Sequence, residues 1–293
     1  MRLPPTSFVT LAVVVATVSI SVPAGAQMVL PGAVAPTPEG TAVAPSAAPR
    51  SKPKVRPSGD APAPAVSAKT PPIVSLAGQT LFLNGRKSQI GFEAKDKSLA
   101  VSRLTLVGQK LSDPRQDCEV TPPTGGAVAI TDLGRPNGLV RFKLDLPACP
   151  ITFDVLDGAV LGIGDPPACE FREADCKVPA DGLWGPQPAT LGPAQVKTTE
   201  RARAQAESAV RNDYKLLVSL TKDRPTIMGY ARDQAGFTSA REEICRDYSG
   251  EGRHNFCSAR LTEARVAALK AKIDVEAGRR QLRKAAKGAK PRV

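Results

Sequence analysis

Cys118, Cys149, Cys169, Cys176, Cys245 and Cys257 are the full thiol complement of the chain, and they follow an amino-terminus that reads as an export signal. Arg2 supplies a positive charge, an apolar stretch runs from Phe8 to Val22, and Ala24 and Ala26 form the small-x-small pattern that a signal peptidase cuts before Gln27. About 15 apolar residues fall short of the ~20 needed to span a bilayer, so residues 1–26 are read as a cleaved signal peptide. No cysteine lies near the cut, which argues against a lipid anchor there. The mature chain is therefore expected in the periplasm or outside the cell, where an even number of cysteines predicts disulfides rather than free thiols. Spacing does not select among the possible pairings; the simplest arrangement joins neighbours, Cys118 with Cys149, Cys169 with Cys176 and Cys245 with Cys257. The first of these would close a loop of about 30 residues and contribute roughly 3–4 kcal/mol through chain entropy. Zinc is the rival use of cysteine, but there is no C-x-x-C and His254 is the single histidine, so no metal is expected.

Between the signal and the first cysteine the composition changes. Residues 27–72 are mostly Ala, Pro, Val, Thr and Ser, too poor in large apolar side chains to offset chain entropy, and are read as a disordered Pro/Ala-rich leader. As polyproline II it would reach on the order of 140 Å. Folding is expected to begin at Ile73. Thr80-Leu-Phe-Leu83 is followed by Asn84-Gly85, a hairpin turn in which both residues accept positive φ. Further β-type runs at 89–93, 99–107, 127–130, 139–144, 151–155 and 159–163 recur about every ten residues, which predicts a small all-β sandwich or barrel over 73–164. Residues 165–196, rich in Pro and Gly, read as an irregular linker carrying Cys169 and Cys176, with Trp184 as a packing residue that seats it on a neighbour.

Helical periodicity takes over at Lys197. Val210, Tyr214, Leu217 and Leu220 or Thr221 form one stripe, Asp223-Arg-Pro225 breaks it and starts a second helix reaching Asp247, and a third starts at Ser258 with Leu261, Val266, Leu269 and Ile273 inward. The expected fold class is α+β in several regions: leader, all-β domain, linker, and a three-helix domain over 197–293 stapled by Cys245 and Cys257.

The net charge of +12 is concentrated at the carboxy-terminal end. Residues 73–196 carry 12 basic and 14 acidic side chains, whereas 197–293 carry 22 and 12. Lys270, Lys272, Arg279, Arg280, Arg283, Lys284, Lys287, Lys290 and Arg292 face only Asp274 and Glu276 in the last stretch. Such a basic tail is either a solvated helix end or a site of attraction to an anionic envelope polymer or lipid.

Within the helical region, Gln234, then Phe237, Arg241-Glu242, Cys245, Cys257 and the closing Thr262-x-x-Arg265-x-x-x-Leu269 are spaced as in the LprI-like lysozyme-inhibitor family, which the segment over about 197–275 resembles. The helix of Tyr214 fits that family's first core helix. Phe237 stands where the family usually has Trp, and Glu242 where it has Asp. The resemblance implies a small helical domain; on physical grounds each matched residue has a structural use, with Phe237 expected to fill the core, Arg241 to pair with a carboxylate on an adjacent helix, and the cysteines to join helices two and three. It also implies a lysozyme-type lytic enzyme as partner, with Arg253 and His254, on the loop between the cysteines, as candidate contacts. Lysozymes act with paired carboxylates in a cleft, and a presented Arg has the charge to meet them.

No catalytic constellation accompanies these residues. There is no G-x-S-x-G elbow and no phosphate-binding G-x-x-x-x-G-K-[ST], and Gly162-Ile-Gly164 lacks the third glycine and the helix of a dinucleotide loop. The chain is read as a non-enzyme without a cofactor. Nucleic acid is not an expected partner, because the compartment is wrong and aromatics are too few for a stacking platform. Oligomeric state is left open. Two readings stand: a binder or inhibitor of a cell-wall lytic enzyme, and an envelope scaffold adhering through its basic end.

Overall fold

The computed structural model describes residues 71–95, 98–122 and 127–288. The expected signal peptide and all but the last two residues of the leader lie outside the described residues, as do Lys290 and Arg292 of the basic tail. Among the described residues there are twelve strands: β1 Thr80–Leu83, β2 Gln89–Lys95, β3 Ser98–Lys110, β4 Asp117–Val120, β5 Val128–Ala129, β6 Thr131–Asp132, β7 Arg141–Leu144, β8 Ile151–Leu156, β9 Ala159–Gly164, β10 Ala168–Phe171, β11 Cys176–Pro179 and β12 Gly182–Gly185. Helices follow: α1 Pro193–Leu220, α2 Arg224–Arg246, the single turn α3 Glu251–His254, and α4 Phe256–Gly288. The class is α+β, as the run of strands followed by a run of helices predicts.

Every strand pair is antiparallel, and the strands join in the order β10-β11-β3-β2-β1-β12-β9-β8-β7-β6, with β4 and β5 also on β3. The Asn84-Gly85 turn forms as expected, with φ of 51° and 66°, and links β1 to β2 in the register Phe82↔Gln89. Alternation buries Leu81 and Leu83 of β1 and Phe142 and Leu144 of β7 on one side of the sheet. The core is threaded by an aromatic row from four strands: Phe92 to Phe142 at 6.0 Å, Phe142 to Phe153 at 5.2 Å and Phe153 to Trp184 at 6.1 Å between ring centroids. Edge-to-face and offset stacking of this kind adds to simple burial.

Residues 165–196 are not a linker. They supply β10, β11 and β12, and Trp184 is fully buried in the sheet's own core rather than seated on a separate domain. β12 is short and rich in glycine, so its strand character comes from its partners: it lies between β1 and β9, opposite Leu83 and Val160. Propensity is a poor guide where neighbours on both sides supply the hydrogen bonds.

The disulfides correct the sequential pairing at two of three positions. Cys245 joins Cys257 as expected, but Cys118 joins Cys176 and Cys149 joins Cys169. Register explains both differences. In the β10–β11 hairpin Cys169 lies opposite Val178 and Cys176 opposite Phe171, so the two cysteines are out of step and cannot bond. Instead β4 and β11 both pair with the end of β3, where Cys118 is opposite Gly108 and Cys176 opposite Lys110. Gly108 permits this closeness, because a methyl group there would overlap the backbone carbonyl of Lys177. The β8–β9 hairpin, with Ile151 opposite Gly164, carries the chain beyond its open end so that Cys169 returns to Cys149.

The sheet and the helices each have an apolar core of their own, and a further apolar cluster joins them. Leu139, Leu156, Ala159 and Leu183 from the sheet meet Tyr248, Phe256, Cys257, Leu261 and Ala267 from the helices. Backbone contacts reinforce the join: the Ser249 N–H donates to the Asn84 carbonyl at 2.9 Å and the Tyr248 hydroxyl to the Pro186 carbonyl at 2.7 Å. Gly185 makes room for that phenol, since a Cβ there would lie 2.6 Å from the Tyr248 hydroxyl oxygen.

Candidate functional site

The helices are arranged so that α1 and α4 run parallel and α2 runs against both. Ala206 and Ala209 of α1 line a cleft with Ala264 and Ala267 of α4, and Asp213 is near Lys270, so position rises together on the two helices. On α2 the order is reversed, with Arg241 at Thr262 and Tyr230 at Glu276. Between α1 and α4 the packing is apolar, through Val210, Leu217, Val266 and Leu269, with Tyr214 against them. Helix α1 starts at Pro193, a residue whose fixed φ suits the first turn, and α2 is capped by Asp223, whose carboxylate accepts from the Thr226 N–H at 2.9 Å.

Helix α2 is held differently. Only Cys245 is buried along its whole length, and its contacts with α4 are a file of polar pairs. Starting at the Cys245–Cys257 disulfide, the Arg241 guanidinium donates to the Thr262 hydroxyl at 3.0 Å, and Arg265 donates twice to the Gln234 side-chain carbonyl at 3.2 and 3.1 Å. Lys272 meets Asp233 at 2.6 Å, and the Tyr230 hydroxyl donates to Glu276 at 3.2 Å. Phe237 lies between two cations, with the Arg241 and Arg265 guanidinium carbons 5.6 and 5.5 Å from its ring centroid. Gln234, Phe237, Arg241, Thr262 and Arg265 of the family-like motif are thus brought together, whereas Leu269 is buried in the packing between α1 and α4. Phe237 departs from the expected core plug: it is only partly buried, and its contacts are the two guanidinium groups. Arg241 also reaches the carboxylate of Glu207 on α1 at 3.9 Å.

Local electrostatics follow from these contacts. The Lys272 ammonium holds the Asp233 carboxyl below its ordinary range, and burial pushes the Arg265 guanidinium down and the Tyr230 phenol up. Burial also pushes the Tyr248 phenol well up, with the nearby Glu251 charge adding to it. On α1, Asp213 has one carboxylate oxygen without a hydrogen-bond partner; burial raises its carboxyl, opposed by Lys270.

The loop between Cys245 and Cys257 separates the two candidate contacts. His254 is turned inward, only 4% exposed: its Nδ1 accepts from the Phe256 N–H at 3.2 Å, which leaves the proton on Nε2 to be donated to the Ser249 carbonyl at 2.9 Å. It is a structural residue of the turn, not a contact surface. Arg253 remains exposed. Glu251 escapes a reading by periodicity, yet its carboxylate accepts from the Cys257 and Ser258 N–H groups at 2.9 and 2.8 Å and caps α4. An acidic residue shortly before a helix start is the one signal that points to it. The pairs Tyr230–Glu276 and Asp233–Lys272 carry no signal in sequence, since they join residues 46 and 39 apart.

All six cysteines are disulfide-bonded, and among the described residues no group of three or more His, Cys, Asp or Glu is placed to hold a metal ion. No described helix is long and apolar enough to cross a membrane. No protein-family model, curated protein or solved structure matches the chain.

Charge is distributed unevenly along the helices. The half beside the sheet, residues 197–210 and 234–269, carries eight basic and seven acidic side chains, and the far half, 211–233 and 270–288, carries twelve and five. Arg224, Arg232, Arg280, Arg283 and Lys284 are exposed there.

Proposed function

We propose that this is an exported, non-enzymatic envelope protein that adheres to an anionic surface through the far end of its helical bundle, with the β-sheet as a sandwich-like base. The observation that carries the reading is the charge excess of that end, twelve basic side chains against five acidic, on helices held in register by the polar file between α2 and α4. A clustered positive field on a fixed scaffold concentrates polyanions and raises their association rate. Three disulfides and the lack of a membrane-crossing helix among the described residues accord with export.

The test is retention of the disulfide-bonded chain on an immobilised polyanion such as heparin. Binding at low salt should fall steeply between about 50 and 200 mM salt, because exposed charges are screened over about a Debye length. Arg224→Glu with Arg280→Glu and Lys284→Glu should release the chain at markedly lower salt. Retention equal to that of the parent chain would refute the reading.

A second reading follows the family resemblance: the helical region binds a lysozyme-type lytic enzyme. Arg253 favours it, being exposed on a turn clamped by Cys245–Cys257 and underpinned by His254 and Glu251. Titration against lysozyme activity at physiological salt should give saturation near one-to-one, and Arg253→Ala should weaken it by about tenfold or more, as loss of a charge pair does. Activity unchanged at about tenfold excess of the chain removes this reading, since an inhibitor of useful affinity is saturating there.

A further inference from the structure

We infer that the anionic surface is a lipid bilayer, and that Val275 and Leu282 of α4, with Leu216 of α1, enter its headgroup region while the neighbouring cations meet the phosphates. This rests on the adhesive reading above and names its ligand.

These three side chains are 54%, 72% and 46% exposed. Val275 and Leu282 are seven residues apart, two helical turns, and so lie on one side of α4. Leu216 lies seven beyond Ala209, on the side of α1 that lines the apolar cleft with Ala264 and Ala267. Nearer the sheet this side of α4 is covered, because the turn at Gly138 abuts the Ala267 carbonyl and the Ala271 methyl. Beyond Ala271 the row continues past the sheet's cover. Over the same turns Arg279 keeps more than half its side chain in solvent while paired to Glu276, and Arg280, Arg283 and Lys284 are exposed. Glu276 is buried, which leaves Asp274 as the exposed acid of α4 in this stretch.

Three chemistries could cover such a face. A soluble polyanion satisfies the cations but offers nothing to the apolar row. A second copy of the chain would cover the row but would bring two cationic ends together. An anionic bilayer meets both, in the manner of helices that lie in the interface with an apolar side down and Lys or Arg beside it. The helix lies against the bilayer, since no described helix is long and apolar enough to cross one.

The experiment is co-sedimentation of the disulfide-bonded chain with vesicles of phosphatidylcholine alone and of phosphatidylcholine with about one-third phosphatidylglycerol, run beside the heparin column. The parent chain should bind the anionic vesicles and not the neutral ones. Val275→Asn with Leu282→Asn, both at exposed positions, should lower vesicle binding by about tenfold or more, with heparin retention and helix content unchanged. If that variant binds vesicles like the parent, the surface is recognised by charge alone: the lipid inference falls and the adhesive reading stands. If the variant instead changes the oligomeric state without vesicles, the row is a self-association face and the inference also falls. Failure of the parent chain to bind both heparin and vesicles overturns both readings.

Discussion

Asp154→Ala is expected to lower stability by about 2–3 kcal/mol, because it leaves a half-buried cation, on the face of β7 opposite Phe142 and Leu144, without its partner. Asp154 and Arg141 sit opposite each other on β8 and β7, and the guanidinium Nε and one terminal nitrogen reach the two carboxylate oxygens at 2.6 and 2.8 Å. Their side chains are 8% and 22% exposed. The bond to Asp154 makes the Arg141 guanidinium still harder to deprotonate, so it cannot escape burial by losing its charge. Urea unfolding of the oxidised chain at neutral pH measures the loss. Arg141→Met combined with Asp154→Leu should recover most of it, since an apolar pair removes the desolvation cost of both charges. A single variant within about 1 kcal/mol of the parent would show that water reaches the pair.

Removal of the Cys118–Cys176 disulfide by paired serine substitution is the second large effect, about 4 kcal/mol on a chain-entropy account for cysteines 58 residues apart. The same account gives about 3 kcal/mol for Cys149–Cys169, separated by 20 residues, and for Cys245–Cys257, separated by 12. The Cys149–Cys169 loop is nested inside the larger one, so the two losses should not simply add. Peptide mapping of the unreduced protein checks the connectivity directly, and a Cys118–Cys149 or Cys169–Cys176 peptide would overturn the register of β4 and β11 on β3. Loss of less than about 1 kcal/mol in the serine pair would mean that these two strands are held by their ladders to β3 rather than by the bond.

Local chemistry was legible in the sequence and long-range pairing was not. Asn84-Gly85 declares its turn because few other dipeptides accept two positive φ values, and Asp223-Arg-Pro225 declares a helix start through its cap and its proline. Gln234, Phe237 and Arg241, and likewise Thr262, Arg265 and Leu269, recur at helical spacing, so their convergence was readable once two helices were granted. By contrast, β12 becomes a strand because it is accepted between β9 and β1, the latter about a hundred residues earlier. The cysteine pairs depend on which residue faces which across β3, β4 and β11, a matter of register that composition does not encode. His254 reads as a presented side chain because nothing in sequence foretells the Ser249 carbonyl and the Phe256 N–H that draw it inward. The exposed row of Val275 and Leu282 was hidden for the opposite reason: its spacing is that of any packed helix, and only the end of the sheet's cover leaves it bare.

The pairing of β1 with β12 also sets the order of events when the chain folds. A strand at residues 80–83 whose outer neighbour is 182–185 must wait for the last strand before that side is closed. Until then its backbone groups present an open edge, the kind that templates association with other chains. Contacts so distant in sequence slow folding, since the entropy of the long loop is lost before the contact repays it. The helices wait longer still, because Ser249 docks on the carbonyl of Asn84 and Tyr248 on that of Pro186, two acceptors that come together only when the strand pair has formed. Closure of the sheet and docking of the helices on it are therefore late events, which wait until Tyr248 and Ser249 have been made.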